Sequence, residues 1–375
     1  MVRSAQNRLA SRVSVPLLVF LVLLLVYGAV LVQSATSGFT AGSAMFRRQL
    51  LGMGIGLIPL AVAWGIDYTK LKGWLGPLVL LDALLIISPR IPGLSYTAGG
   101  ATSWLAIGGI RLFQPSEPAK LVTIVIMAAV ISQYKGRIEK PADVLKVVGY
   151  LVLPVGLILL QPDLGTGLVF IAIAMGMLLV GGLQGRWFAV FGVIMVLAGV
   201  LLFALPSDYG GLQEYQRNRL LVFVDNEVDP RGAGYNLAQS KIAIGSGGLT
   251  GKGLGSGTQS NLNFLPERHT DFIFAVLGEE TGFAGTMLLL ALYLGLFVTA
   301  LEISTSSRDL FGSLIAAGVI SMWVFQIMIN IGMTLGIMPI TGIPLPFMSF
   351  GSSFMVTNLA ATGMLLSVWS RRYGT

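Results

Sequence analysis

Cysteine is absent from this 375-residue chain, histidine occurs once, and only 11% of residues are charged. The first absence excludes a disulfide framework and any thiolate metal site. One histidine, with no carboxylate pair at ligand spacing, leaves no metal signature. The third absence excludes an ordinary soluble domain, which carries roughly 25% charged residues. Alternating strand patterns are missing too, so a membrane β-barrel is not indicated. What remains is apolar: 54% hydrophobic residues and a mean hydropathy of +0.81.

That apolar material comes in runs long enough to cross a bilayer as helices. Ten are legible, at about 15–32, 50–66, 73–89, 117–134, 144–160, 164–182, 187–205, 271–301, 310–336 and 350–369. Backbone groups in lipid must be satisfied within the chain, so the expected fold is an all-α polytopic membrane bundle. It forms one domain over 1–375, with a large extracytoplasmic loop at 206–271 between the seventh and eighth helices. The first run follows Arg3, Arg8 and Arg12 and is too long for a signal-peptide core, so it reads as a retained anchor.

Lysine and arginine counts in short loops set the orientation. With the N-terminus inside, 13 fall on the cytoplasmic side and 5 on the other, excluding the long polar segment. Both termini are then expected in the cytoplasm and 206–271 outside. The net charge of +7 is mostly this bias and implies no nucleic-acid partner.

Residues 207–271 hold 13 of the chain's 41 charged residues and its only histidine, His269. Such titratable chemistry at one membrane surface points to a site. Asp271, after Glu267, Arg268 and His269, precedes an apolar run. It could cap that helix, or serve as a half-buried general base with a raised pKa, held ionised by Arg268. In Arg111–Leu121, Ser116 reads as an N-cap, with Glu117 and Lys120 facing each other one turn on. Charges at that depth are also functional candidates. Asp163 in QPDLGTG is a natural N-cap or a contributor to a site. Asp82 is an intramembrane acid with no evident partner. Pro339, Pro344 and Pro346 forbid a continuous helix before the last run, implying irregular backbone around a cleft on the outer side. The glycine run Gly245–Gly257 fails as a phosphate loop, since Ser246 and Gly253 stand where Gly and Ser or Thr are needed. It reads as a turn-rich loop, or as a backbone cradle for phosphate with Lys252 adding charge.

Taken in order, FQPSEPAK, QPDLGTG, the stretch from YQRNRLLVFVDNEVDPRGAGYNLAQSK to LPERHTDFIFAVLGEETG, and INIGMTLGIMPITGIPLPFMSFGSS resemble the SEDS family of shape, elongation, division and sporulation proteins over nearly all of 15–370. LPERHTDFIFAV and TGIPLPFMSFGSS are more similar to the elongation type, RodA, than to the division type, FtsW. Asn263 stands where some division-type members have a glutamate. The resemblance implies a ten-helix peptidoglycan glycosyltransferase in the bacterial cytoplasmic membrane. It would polymerise lipid II on the outer face, beside a class B penicillin-binding protein and other elongation-complex membrane proteins. The family's essential aspartate falls on Asp271, and its conserved arginine, glutamate and lysine on Arg111, Glu117 and Lys120. Asp163 and His269 join the substrate-binding candidates. Arg111, Lys120, Arg217, Arg219 and Lys252 are the cations placed to receive a leaving pyrophosphate. No cofactor is implied beyond a divalent ion (Mg or Mn) that a pyrophosphate could bring. Three alternatives stay open: a lipid II flippase, a division or sporulation paralogue, and a non-catalytic activator of a transpeptidase.

Overall fold

The computed structural model describes residues 13–373 apart from 92, 99, 100, 109, 207, 208, 210, 226 and 263. Arg3, Arg8, Arg12 and Asn263 therefore lie outside the described residues. A helix stands in each of the ten apolar runs. These are α1 (Val15–Thr36), α2 (Gly42–Gly65), α3 (Leu75–Ile87), α4 (Ser116–Ile131), α5 (Pro141–Leu159) and α6 (Leu164–Val180), then α7 (Gly185–Ala204). The long polar connector follows. Its longer described helices are α8 (Glu214–Val224) and α9 (Ala233–Ser246), and a single turn of helix follows at Thr258–Asn261. The last three are α10 (Ile273–Thr305), α11 (Leu310–Leu335) and α12 (Ser352–Ser370). Among the described residues, eight helices are long and apolar enough to cross a membrane. The remaining two of the ten, α6 and α12, have 17 and 19 residues and pack among them.

Local sequence explains the helix ends that matter here. Asp163 caps α6 by accepting from the Thr166 N–H at 3.0 Å. Asp309 caps α11 in the same way through Gly312 at 2.8 Å. Gly336, left-handed at φ 76°, ends α11 and releases the chain into the proline-rich segment. Small residues let helices approach closely. Gly52 and Gly56 of α2 face Ser352 and Leu359 of α12, and Gly363 of α12 meets the Leu60 carbonyl. In contrast, α7 has no buried residue, as fits a helix whose surroundings are lipid.

Two features depart from the expected all-helical layout. The chain before α4 forms a three-stranded antiparallel sheet, β1 (Ser95–Ala98), β2 (Ala101–Ile107) and β3 (Ile110–Phe113), with Ala106 opposite Arg111. Helix α10 is broken at Gly282, where φ is 64° and ψ −161°, a conformation open essentially to glycine alone. The Gly247–Gly253 loop restores the lost backbone bonds. Phe283 and Ala284 donate to the Gly248 and Leu249 carbonyls at 2.9 and 3.0 Å, while Lys252 and Gly253 donate to Glu279 and Glu280 at 3.0 and 2.9 Å. Irregular backbone is thus tolerated because the glycine loop satisfies it.

Candidate active site

Four helices bring one end to a common cavity of about 520 Å³. The N-terminal parts of α2, α4, α6 and α12 line it, with the sheet, the turn before α10 and the Thr341–Pro344 stretch. Helix N-termini carry partial positive charge and favour anions. Four cationic side chains, Arg48, Arg111, Lys120 and Arg219, face the same space as four acids, Glu117, Asp163, Glu267 and Asp271.

Asp271 does not cap the helix that follows. Helix α10 starts at Ile273, Phe272 occupies the cap position, and no side-chain capping bond forms there. The carboxylate instead lines the cavity, and Oδ2 and an Arg219 nitrogen both approach the face of Gly342. Burial pushes the Asp271 carboxyl up to about 6; the Glu267 charge adds to the rise, and Arg219 and the Thr270 hydroxyl oppose it. The expectation that Arg268 holds this acid ionised is corrected. Arg268 is buried against α1, donating from Nε to the Ala35 carbonyl at 2.7 Å and stacking over Phe39. The nearby opposing charge is Arg219.

Arg219 reaches its place through α8. Gln216 Nε2 and the Tyr215 hydroxyl donate to the Pro162 carbonyl at 2.7 and 3.0 Å, pinning α8 to the α5–α6 turn. Arg217 lies two residues away, about 200° around the helix. It sits over Phe203 at 4.7 Å and does not line the cavity. Asp163, besides capping α6, lies on the cavity wall.

Helix α4 begins one residue earlier than a Ser116 cap requires: Pro115 holds the cap position and Ser116 makes no capping bond. Glu117 and Lys120, both buried, form a 2.8 Å ion pair within its first turns. Glu117 Oε2 is buried and has no hydrogen-bond partner among the described residues, and Glu117 is one of the residues that line the cavity. Arg111 projects from β3 with its guanidinium 3.2 Å from the Trp104 ring centroid. His269 packs edge-on to Phe39 and tilted against Phe350, each at 5.4 Å. Burial pushes its imidazole pKa down, so it is neutral near pH 7.

Lys252 stands apart from the cavity. It pairs with Glu279 at 2.8 Å, and the same Glu279 oxygen also accepts from the Thr258 N–H, the Thr258 hydroxyl and the Gln259 N–H. Its loop's amides bond to the broken part of α10, which favours the turn-rich reading of the glycine run. Among the described residues, no group of three or more His, Cys, Asp or Glu is placed to hold a metal ion.

Sequence reasoning passed over Arg48, Trp104 and Gln326, all on the cavity wall. Arg48 stands beside Arg47 just ahead of an apolar run and carries no further signal in the sequence. Gln326 lay within an apolar run. Trp104 was legible only through the hairpin that carries it.

The chain matches the FtsW/RodA/SpoVE family, described as cell cycle proteins, over residues 9–373. It is 38% identical over 364 residues to the peptidoglycan glycosyltransferase MrdB of Escherichia coli K12, covering 95% of this chain and 93% of that protein. It superposes with a TM-score of 0.79 and 30% identity on a chain of a peptidoglycan synthase complex that coordinates polymerization and crosslinking, covering 97% of this chain and 99% of that one. With the rod shape determining protein RodA of Thermus thermophilus the TM-score is 0.71 at 27% identity, over 97% and 98% of the two chains. The motifs, the helical architecture and these similarities converge: the chain belongs to the FtsW/RodA/SpoVE, or SEDS, family of multi-pass membrane proteins.

Proposed function

We propose that this protein is a peptidoglycan glycosyltransferase that polymerises lipid II during cell elongation, with Asp271 as its general base. The observation that carries this reading is a carboxylate free of any capping role, its pKa raised to about 6, on the wall of a cavity it shares with Arg48, Arg111 and Arg219. A base is most useful near its operating pH, because it then combines adequate basicity with a large ionised fraction.

The chemistry balances with these groups. The 4-hydroxyl oxygen of the acceptor sugar attacks the anomeric carbon of the donor, and its proton passes to the Asp271 carboxylate. The bond from that carbon to the polyprenyl pyrophosphate breaks, and the pyrophosphate leaves with the electron pair. Displacement at the opposite face inverts an α-linked donor to a β-linked product. Arg219, Arg111 and Arg48, with the N-termini of α4, α6 and α12, supply the positive potential that a departing pyrophosphate requires. Glu117 lines the same cavity and holds Lys120 at its wall. A divalent ion would arrive bound to the donor's pyrophosphate.

The orientation follows the positive-inside bias: ten crossings of the cytoplasmic membrane, both termini inside, and the cavity on the outer face. A class B transpeptidase is the expected partner, alongside other elongation-complex membrane proteins, because the similar chain from the synthase complex comes from an assembly that also crosslinks. The test is purified protein incubated with lipid II and its cognate transpeptidase. Glycan strands are the expected product; intact lipid II with folded protein and partner present would overturn the assignment.

A further inference from the structure

The turn that carries Asp271 is gripped at three successive carbonyls. The His269 carbonyl accepts from the Phe350 N–H at 2.9 Å, Thr270 from the Ser349 hydroxyl at 2.6 Å, and Asp271 from Asn330 Nδ2 at 2.9 Å. Asn330 also donates to the Ile343 carbonyl at 2.8 Å, so its amide forks between the turn and the proline-rich segment. That segment is itself anchored to α2: Gln49 donates to the Ser349 carbonyl at 3.2 Å and accepts from the Gly351 N–H at 3.1 Å.

The fork has a geometric consequence. Gly342, next to the residue Asn330 holds, is the wall opposite the carboxylate. A Cβ added there would stand 3.3 Å from Asp271 Oδ2 and 3.6 Å from an Arg219 nitrogen. The two bonds from Asn330 therefore tie the backbone of the base to the residue beside that wall. As a stability element Asn330 is a poor choice. It is fully buried, and its Oδ1 has no hydrogen-bond partner among the described residues, a cost that offsets the two bonds made.

We infer that Asn330 is a positioning residue for the glycosyl transfer: by bridging the Asp271 and Ile343 carbonyls it fixes the projection of the Asp271 carboxylate into the cavity. The inference rests on the assignment of Asp271 as the base. It acts through Asp271 and touches no substrate.

Asn330→Leu keeps the branching and the number of side-chain heavy atoms and removes both N–H donors. Strand formation would be followed against lipid II concentration and pH, with thermal melting of the purified protein alongside. Turnover is expected to fall roughly 10- to 100-fold, the usual effect of misplacing a reacting group by about an ångström. KM should stay within about threefold, because substrate contacts persist. The acid limb of the turnover profile should move to lower pH as the carboxylate gains access to water, with little change in melting temperature. Unchanged turnover, or a loss that follows melting temperature with an unmoved acid limb, would overturn the inference. If Asn330→Leu does not insert or fold, Ser349→Ala removes the hold on the adjacent Thr270 carbonyl. It should move the acid limb in the same direction, and an unmoved limb counts against the clamp. Asp271→Asn run in parallel separates the two claims. An inactive Asp271→Asn beside a normal Asn330→Leu removes only the clamp, whereas an active Asp271→Asn removes the base and the clamp together.

Discussion

A carboxylate just before a helix is ordinarily consumed as its cap. Asp271 escapes that role because the last turn before α10 folds back on Glu267, whose carbonyl accepts from the Thr270 and Phe272 N–H groups at 3.3 and 3.1 Å. The cap position passes to Phe272, and the acid is left to the cavity. Activity that needs the ionised base should decline as pH falls through about 6. Glu267 helps raise that value, so Glu267→Gln should move the acid limb of the rate profile to lower pH, read from initial rates at saturating lipid II. The Glu117–Lys120 pair makes a different demand. Lys120→Met leaves a buried glutamate unpaired and should cost about 3–5 kcal/mol of stability, measured by thermal melting in detergent. Exchanging the two residues should recover much of that stability without restoring polymerisation, since the carboxylate and the ammonium would trade places at the cavity wall. At this scale the sequence was informative about which residues carry charge near the surface. It was less informative about pairing: Arg268, three residues from Asp271, is the neighbour adjacency suggests, whereas Arg219 is brought to the site by α8 docking on Pro162.

Among the elements, the proline-rich segment and the break in α10 do most to shape the site. The prolines at 339, 344 and 346 announced the first. The second was hidden, because Gly282 sits within an otherwise continuous apolar run and its partner loop lies about thirty residues earlier. That loop reads in the sequence as a turn-rich loop or a phosphate cradle; in the structure the Lys252 and Gly253 amides go to α10. The account therefore expects Lys252→Met to keep polymerisation near normal, because Glu279 retains three other donors. A large rise in KM for lipid II would instead restore a substrate role to Lys252. Gly282→Ala should be damaging. It forces an L residue into a glycine-only conformation, costing about 1–3 kcal/mol before any clash, and its Cβ would strike the Leu249 and Gly251 backbone. Loss of folded protein in size-exclusion profiles would record it. The sheet was missed although the Gly-Gly pairs at 99–100 and 108–109, set between short β-prone runs, are a hairpin signal. The surrounding hydropathy masked it.

For the whole molecule, long-range features were the most legible. Helices lie where hydropathy placed them, because apolar length alone decides where a chain can stay in lipid. The cavity was not legible beyond its approximate side, since it is assembled from segments separated by hundreds of residues, such as Arg48 and Ser352. Orientation is open to direct test in this cysteine-free chain. A cysteine replacing the exposed Tyr209 should react with an impermeant label from outside intact cells, and one replacing Arg137 only after the cytoplasm is opened. The reverse pattern would invert the topology. The most direct measurement of the central claim is lipid II polymerisation by Asp271→Asn with the partner present. The substitution preserves size and removes basicity, and Asp271 makes no capping bond whose loss could confuse the result. The account predicts a folded, membrane-inserted protein that still binds lipid II but forms glycan strands roughly 10²–10⁴-fold more slowly, the worth of a positioned base. Strand formation within a few-fold of the unsubstituted protein would contradict it.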